Sequence, residues 1–272
     1  MTRIRLGNTW LCLSAVTLTA AFVLLPPPLA TLFSGQGPYD EAALTDRVRA
    51  AFVGYWDIRA RTLTPELADL TDYWRWFHLT KTAMAAALLV VLTVWAVRIW
   101  RRYVCSAPDK PAWPVAAAGT VVSALTVVAY AAVVANVQSM VAPFASLMSM
   151  LPVGAADGDL AAMAGQVRDA LTHYSAASPA PLRMMVDDLA RFHVVVAVIG
   201  WSSAVALTVV VVVAVRARAR TPRPDPRARR LSGAVVVASA VLTVAVVVLA
   251  VANTSSALDS PRAVLDFYRG TF

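Results

Sequence analysis

The feature that most constrains the fold is an uncharged segment of 22 residues, Val194–Val215, composed mostly of valine, alanine, isoleucine and leucine. A helix needs roughly 20 consecutive apolar residues to cross a hydrocarbon layer about 30 Å thick, so this segment is long enough to span a membrane. Four further uncharged windows are Leu6–Tyr39, Thr82–Val97, Pro111–Ala156 and Leu231–Leu258. The Thr82–Val97 window is short, but Lys81 and Arg98 flank it and can extend their charges to opposite interfaces. The sequence predicts an all-α polytopic membrane protein, a bundle of five transmembrane helices.

The distribution of charge predicts how these helices are oriented. Thirteen of the 24 basic residues lie in the N-terminus and in the two short loops, where only Asp109 and Asp225 oppose them, a net charge of +11. The remaining segments contain eleven basic and fourteen acidic residues, a net charge of −3. Because cytoplasmic loops are enriched in Lys and Arg, the basic side is predicted to be cytoplasmic, with the N-terminus inside and the C-terminus outside. The predicted topology anchors are Arg98, Arg101, Arg102, Arg216, Arg218, Arg220, Arg229 and Arg230.

The whole chain has a net charge of +8, which by itself is compatible with nucleic-acid binding. The placement of the arginines beside apolar segments instead favours topology anchors that touch anionic lipid. No nucleic-acid partner is therefore predicted. Lysine is scarce while arginine, alanine and valine are abundant, a composition typical of a GC-rich bacterial genome. The expected location is the bacterial cytoplasmic membrane.

The two long loops, 34–77 and 157–191, show helical periodicity. Apolar residues recur at three- and four-residue steps over 41–59 and again over 160–174, as on one face of an amphipathic helix. The pair Thr64-Pro65 is typical of a helix start, and that helix is predicted to continue into the second span. The loops are therefore predicted to form two extracytoplasmic helical hairpins packed together. The aromatic side chains predicted to face a partner are Tyr55, Trp74, Trp76 and Tyr174.

Two apolar stretches leave alternatives open. The first window is interrupted by Pro26–Pro28, which predicts an uncleaved helix that kinks or ends there, with a cleaved signal peptide as the alternative. The segment Met140–Leu151 is predicted either to lie in the outer interface or to pack beneath the second loop. The tail Ala257–Phe272 is predicted to be a short surface helix.

An internal repeat is suggested by the order of motifs. A Val-Arg pair, a tyrosine seven residues later, a proline break, an acidic patch and a Phe-His pair precede both the second and the fourth spans. A Val-Ala-Asn sequence ends both the third and the fifth spans. Duplication and chance similarity in Val/Ala-rich sequence both remain open. The predicted segments are 1–105 and 106–220 as two halves, and 221–272 as the fifth helix with its tail.

The candidate ligand or metal residues are His78 and His193, which begin the second and fourth spans at equivalent positions. Facing imidazoles bind haem or a metal ion, and methionine with histidine suits copper, so haem and copper remain alternatives to having no cofactor. The competing interpretation is that both histidines are ordinary interfacial residues. No phosphate-binding, hydrolase or zinc-protease motif occurs, and the catalytic residues are unknown.

The order of segments resembles that of the anthrone-oxygenase-like four-helix membrane family. The residues that carry the resemblance are Trp76-Phe77-His78-Leu79-Thr80-Lys81-Thr82, Asn136 and Phe192-His193, and it covers Trp10 to about Val215. The chain differs in its fifth apolar segment and longer loops. The resemblance implies a cofactor-independent oxygenase acting on an aromatic polyketide-like substrate.

The sequence as a whole predicts a non-enzymatic membrane component. Its partners are expected to be the lipid bilayer and either another membrane or extracytoplasmic protein or a second copy of the chain. The alternative is a small membrane-embedded oxygenase-like enzyme, or a protein that binds haem, a metal or another ligand through His78 and His193.

Overall fold

A computed structural model describes residues 2–106, 111–155, 157–220 and 226–271 of the chain. These residues form ten α-helices and one short 3-10 helix, and no strand occurs among them. The helices are α1 (Thr2–Leu24), α2 (Pro26–Ser34), α3 (Glu41–Ile58), α4 (Pro65–Cys105), α5 (Trp113–Val141), α6 (Pro143–Met148), α7 (Gly158–Leu171), α8 (Ala180–Arg220), α9 (Pro226–Leu258) and α10 (Ser260–Arg269), with the 3-10 helix at Val153–Ala155.

Four of the helices, α4, α5, α8 and α9, are long and apolar enough to cross a membrane. The pair Thr9–Leu24 and Pro26–Ser34 meets the same criteria when taken together, but its two axes bend by 53°. The prolines that open α2 explain the bend, because each lacks a backbone donor and clashes with the preceding turn. The prediction of membrane-spanning helices is supported by length and composition for four helices, or for five if the bent pair is one span, and the bend lies at the predicted prolines.

The helices α4 and α8 are each 41 residues long. At about 1.5 Å per residue each measures about 60 Å, roughly twice the thickness of a hydrocarbon layer. Only part of each helix therefore lies in the hydrocarbon. The helix predicted to start at Pro65 does run without interruption into the second span, and the helix from Ala180 does the same into the fourth.

The chain divides into two compact units that alternate along the sequence. Unit 1 is Met1–Val23, Thr82–Val134 and Val198–Ala250, and unit 2 is Leu24–Lys81, Ala135–Ala197 and Val251–Phe272. The four long helices contribute residues to both units.

The division into units coincides with the division of charge predicted from the sequence. The ranges of unit 1 contain thirteen basic and two acidic residues, and those of unit 2 contain eleven basic and fourteen acidic residues. Both acidic residues of unit 1, with Lys110 and Arg223, lie outside the described residues. The predicted segments 1–105, 106–220 and 221–272 follow chain order and stay a prediction.

The core of unit 2 is centred on α6, all of whose residues are buried. The ring of Phe144 stacks on Phe52 of α3 at 4.9 Å, and Trp74 of α4 donates its indole N–H to the Ser146 hydroxyl at 2.9 Å. Asp188 of α8 accepts the backbone N–H of Ala145 at 2.9 Å. Of the two alternatives for Met140–Leu151, packing beneath the loop is therefore the one that occurs.

The tail forms the predicted helix, α10, but one of its faces belongs to the core of unit 2. Ala263, Val264 and Tyr268 are buried, and the helix packs against α7 and the 3-10 helix. Burial raises the pKa of the Tyr268 phenol, whose hydroxyl contacts the Met185 sulfur at 3.6 Å. The tail is therefore an amphipathic helix, and these three side chains share the face that packs against the core.

Unit 1 is held by close contacts between small and polar residues. A Cβ atom added at Gly200 of α8 would lie 2.9 Å from the Cβ of Ala250 in α9, so the two backbones approach closely there. The Trp100 indole N–H donates to the Ser123 hydroxyl at 3.0 Å, which joins α4 to α5. Small residues and interhelical hydrogen bonds are the usual means of packing helices in lipid, where burial of apolar surface contributes little.

Candidate functional site

Both candidate histidines are hydrogen-bonded to an asparagine of the next long helix. The His78 Nδ1 of α4 lies 2.8 Å from the Asn136 Oδ1 of α5. The His193 Nδ1 of α8 lies 2.9 Å from the Asn253 Oδ1 of α9. The structure therefore brings each histidine to its own asparagine, at chain separations of 58 and 60 residues.

The two pairs occupy equivalent positions in the helices that carry them. Each histidine is the fourteenth residue of a 41-residue helix, counted from Pro65 in α4 and from Ala180 in α8. All four side chains belong to unit 2. The asparagines are those of the two Val-Ala-Asn sequences. The repeated motifs are visible in the sequence. The hydrogen bonds between their histidines and asparagines form only because α4 packs on α5 and α8 packs on α9.

The hydrogen bonds decide which imidazole nitrogen carries a proton. An amide oxygen only accepts, so Nδ1 is the protonated nitrogen in each neutral imidazole and Nε2 carries the lone pair. The Nε2 of His78 is buried and has no hydrogen-bond partner among the described residues. This atom is the one at which His78 would accept a proton or coordinate a ligand.

Aromatic rings surround His78. The Trp74 ring packs edge-on against the imidazole with centroids 4.6 Å apart, and the Phe77 ring does so at 5.4 Å. The ammonium of Lys81 lies 4.9 Å from the centroid of Phe77. His193 has a similar neighbour in Phe192, with centroids 5.7 Å apart. The rings shield the imidazoles from water and strengthen the His–Asn hydrogen bonds.

Within the described ranges, no group of three or more His, Cys, Asp or Glu side chains is placed to hold a metal ion. Of the methionines, Met148, Met163 and Met185 are buried in the core of unit 2. His173 is exposed.

The predicted partner-facing residues have different environments. Tyr55 is completely buried, which raises its pKa, and its hydroxyl has no hydrogen-bond partner among the described residues. The prediction that Tyr55 faces a partner is therefore wrong, because the Tyr55 side chain lies on the face of α3 that packs into the core of unit 2. Trp74 is half-buried and bonded to Ser146, Trp76 is half-buried and stacked on Phe33 at 4.8 Å, and Tyr174 is half-buried.

The predicted topology anchors all belong to unit 1, at the ends of α4 and α8 and at the start of α9. The guanidinium of Arg218 donates to the backbone carbonyl of Arg229 at 3.1 Å, linking α8 to α9. Arg227, which was not among the predicted anchors, donates to the Ser106 carbonyl and so caps the last turn of α4. These contacts show that part of the basic cluster also joins helix ends.

A second interaction missed from the sequence involves Asp188. Its two oxygens are used separately, one by the Ala145 N–H and the other by the Arg191 guanidinium at 2.8 Å. The N-cap residue of α6, Ala142, has no capping side chain, so Asp188 caps that helix from a distant part of the chain. The acidic pair Asp187-Asp188 was visible in the sequence, but its target was not.

No family model matches this chain, and no curated protein and no solved structure matches it either.

Proposed function

We propose that this chain is a multi-pass protein of the bacterial cytoplasmic membrane whose unit 2 is extracytoplasmic and binds a partner protein or a second copy of the chain. It acts as a non-enzymatic component. The observation that carries the proposal is the core of unit 2, which is filled by its own side chains from α3, α4, α6, α7, α8 and α10. Because its own side chains fill the interior of unit 2, a partner would bind to the surface of the unit.

The orientation is supported by the charge of the two units. Unit 1 has a net charge of +11 and unit 2 a net charge of −3. Under the positive-inside rule, the basic helix ends of unit 1 remain in the cytoplasm and α3, α7 and α10 are exported. The N-terminus is then cytoplasmic and the C-terminus extracytoplasmic.

The exported unit consists, in this proposal, of two hairpins that arose by internal duplication. The first comprises α3 and the start of α4, and the second comprises α7 and the start of α8. The equal lengths of α4 and α8, the matching positions of His78 and His193 and the two matching asparagine partners support the duplication. Three short proline-opened helices, α2, α6 and α10, follow α1, α5 and α9 in the same order.

The end of α3 is the surface of unit 2 that we expect to contact the partner. Ile58, the last residue of α3, is 68% exposed. Beside it the Arg59 guanidinium lies 4.0 Å above the Trp56 ring and bonds to Gln166 of α7 at 3.1 Å. An exposed apolar residue beside a held arginine is typical of the residues that contribute most to binding.

The test is co-purification from native lipid with an affinity tag on the chain. Ile58→Asp is expected to lose the bound protein, whereas the matched change at exposed Ala68 of α4, Ala68→Asp, is expected to retain it. Reporter fusions after Thr271 and within 107–110 test the orientation independently. A chain that stays monomeric and alone in native lipid, or an active cytoplasmic reporter after Thr271, contradicts the proposal.

A second function is favoured by one observation, the buried Nε2 of His78 without a described partner. A ligand or haem could use that nitrogen, and an oxygenase-like activity of the kind implied by the family resemblance would use it as a base. Purified protein should then show a haem or copper absorption band, or consume an aromatic substrate. His78→Ala and His193→Ala should remove that signal, and a colourless protein that binds another protein favours the first function.

A further inference from the structure

Unit 1 contains an apolar groove of about 500 Å³ between α4, α5 and α9. Its walls are formed by Ala96, Val97 and Val104 of α4 and by Leu231 and Val235 of α9. This volume lies within the roughly 300–1,000 Å³ typical of small-molecule sites. One wall is held in place by the Trp100 indole, which lines the groove and is hydrogen-bonded to Ser123.

One end of the groove is basic. Arg101 lines it and is exposed, and no carboxylate pairs with this guanidinium among the described residues. The only acidic residues in the ranges of unit 1 are Asp109 and Asp225, against thirteen basic residues. The groove therefore combines an apolar wall with a guanidinium that no carboxylate of the described residues pairs with.

We propose that the groove binds one anionic glycerophospholipid from the surrounding bilayer, with an acyl chain against the apolar wall and the phosphate on Arg101. Thr93 at the far end and Arg101 are eight residues apart on α4, which is about 12 Å at about 1.5 Å per residue. One leaflet of hydrocarbon is about 15 Å deep, half of about 30 Å. An acyl chain laid along α4 thus places its headgroup at the level of the arginine.

The charge of unit 1 selects the headgroup. Basic pockets between transmembrane helices recognise anionic headgroups, and each Lys or Arg near the surface favours an anionic lipid by about fivefold. A zwitterionic lipid with the same chains fits the apolar wall equally well but has no net negative charge to offer Arg101. The site therefore discriminates between lipids by headgroup charge. The contact of the acyl chain with the apolar wall contributes to the affinity for every lipid.

The experiment is native mass spectrometry of the full chain in detergent, titrated with phosphatidylglycerol or with phosphatidylethanolamine of identical acyl chains. Phosphatidylglycerol is expected to remain as one molecule per chain with several-fold higher occupancy. Arg101→Gln should reduce its apparent affinity by about fivefold. Arg216→Gln removes another exposed arginine of unit 1 that does not line the groove, and should reduce the apparent affinity less than Arg101→Gln does.

A second readout uses the native groove without altering its walls. Exposed Cys105 lines the groove, and in a Cys12→Ser background its maleimide labelling should slow when phosphatidylglycerol is added. Glycerol phosphate, which has the headgroup chemistry without the chain, should not protect it. Equal retention of both lipids, equal losses in the two arginine variants, or protection by glycerol phosphate alone each overturns the proposal.

Discussion

Replacing Asn136 with leucine removes the acceptor of the His78 Nδ1–H while nearly conserving the volume of the side chain. The hydrogen bond is 2.8 Å long and Asn136 is only 7% exposed, so water does not readily replace the lost acceptor. Leaving a buried donor unsatisfied costs about 1–3 kcal/mol. His78→Phe removes the group that donates to the Asn136 Oδ1 and should cost a similar amount.

The double variant distinguishes an interaction from two independent losses. Once both partners are apolar no polar group is stranded, so its destabilisation should be smaller than the sum of the two single losses. The expected coupling is about 0.6 kcal/mol, the average for hydrogen bonds between membrane helices, and at most about 1.7 kcal/mol. At roughly 2–4 °C per kcal/mol, each single variant should lower Tm by several degrees.

The measurement is thermal unfolding in detergent, followed by tryptophan fluorescence, because Trp74 packs on the His78 ring. The pair His193 and Asn253 offers an internal repetition, and the same three variants there should show coupling of the same sign. Strictly additive effects at both pairs would refute the reasoning, since the imidazole and amide would then contribute independently.

Three further predictions test separate features. Burial raises the pKa of Tyr55, so the contribution of its neutral phenol to the free energy of unfolding is fully present below about pH 10 and is lost as the pH rises above it. Tyr55→Phe should flatten the resulting decline of stability between pH 8 and 11. An unchanged slope in those unfolding curves contradicts the prediction. Asp188→Ala should destabilise unit 2 by about 1–3 kcal/mol and speed hydrogen exchange in α6, whereas Asp188→Asn, which keeps an acceptor, should lose less. Gly200→Ala should lower Tm, because the new Cβ would lie 2.9 Å from the Cβ of Ala250. The control Gly54→Ala places its Cβ where no atom lies within 4 Å, and should raise Tm slightly. The reverse order of the two Tm values would show that α8 and α9 separate freely.

The residues at helix starts and breaks were readable in the sequence because their chemistry is local. Proline lacks a backbone donor wherever it occurs, and this property placed the bend before α2 and the start of α4 at Pro65. The amphipathic pattern of α3 and α7 likewise predicted two helices outside the spans. In α3 the three- and four-residue steps include Tyr55 together with Leu44, Val48 and Phe52, and these four side chains lie on the buried face.

The role of α6 could not be read from its own sequence. A six-residue apolar helix opened by proline suits an interfacial position as well as a buried one, and local pattern does not distinguish them. The outcome depends on Phe52, Trp74 and Asp188, which come from three other helices. Burial of a helix start requires partners for its free N–H groups, and only the fold identifies Asp188 as that partner.

The sequence by itself determined the class of this protein. A run of about 20 uncharged residues partitions into lipid, and clustered arginines stay in water, independently of how the helices pack. The sequence also determined how charge is divided between the two units. Only the tertiary structure decided that each histidine is hydrogen-bonded to an asparagine about 60 residues away, and that α6 and α10 fill the core of unit 2. Those outcomes depend on which faces of the helices contact one another, and these contacts are determined by the packing of residues far apart in the chain.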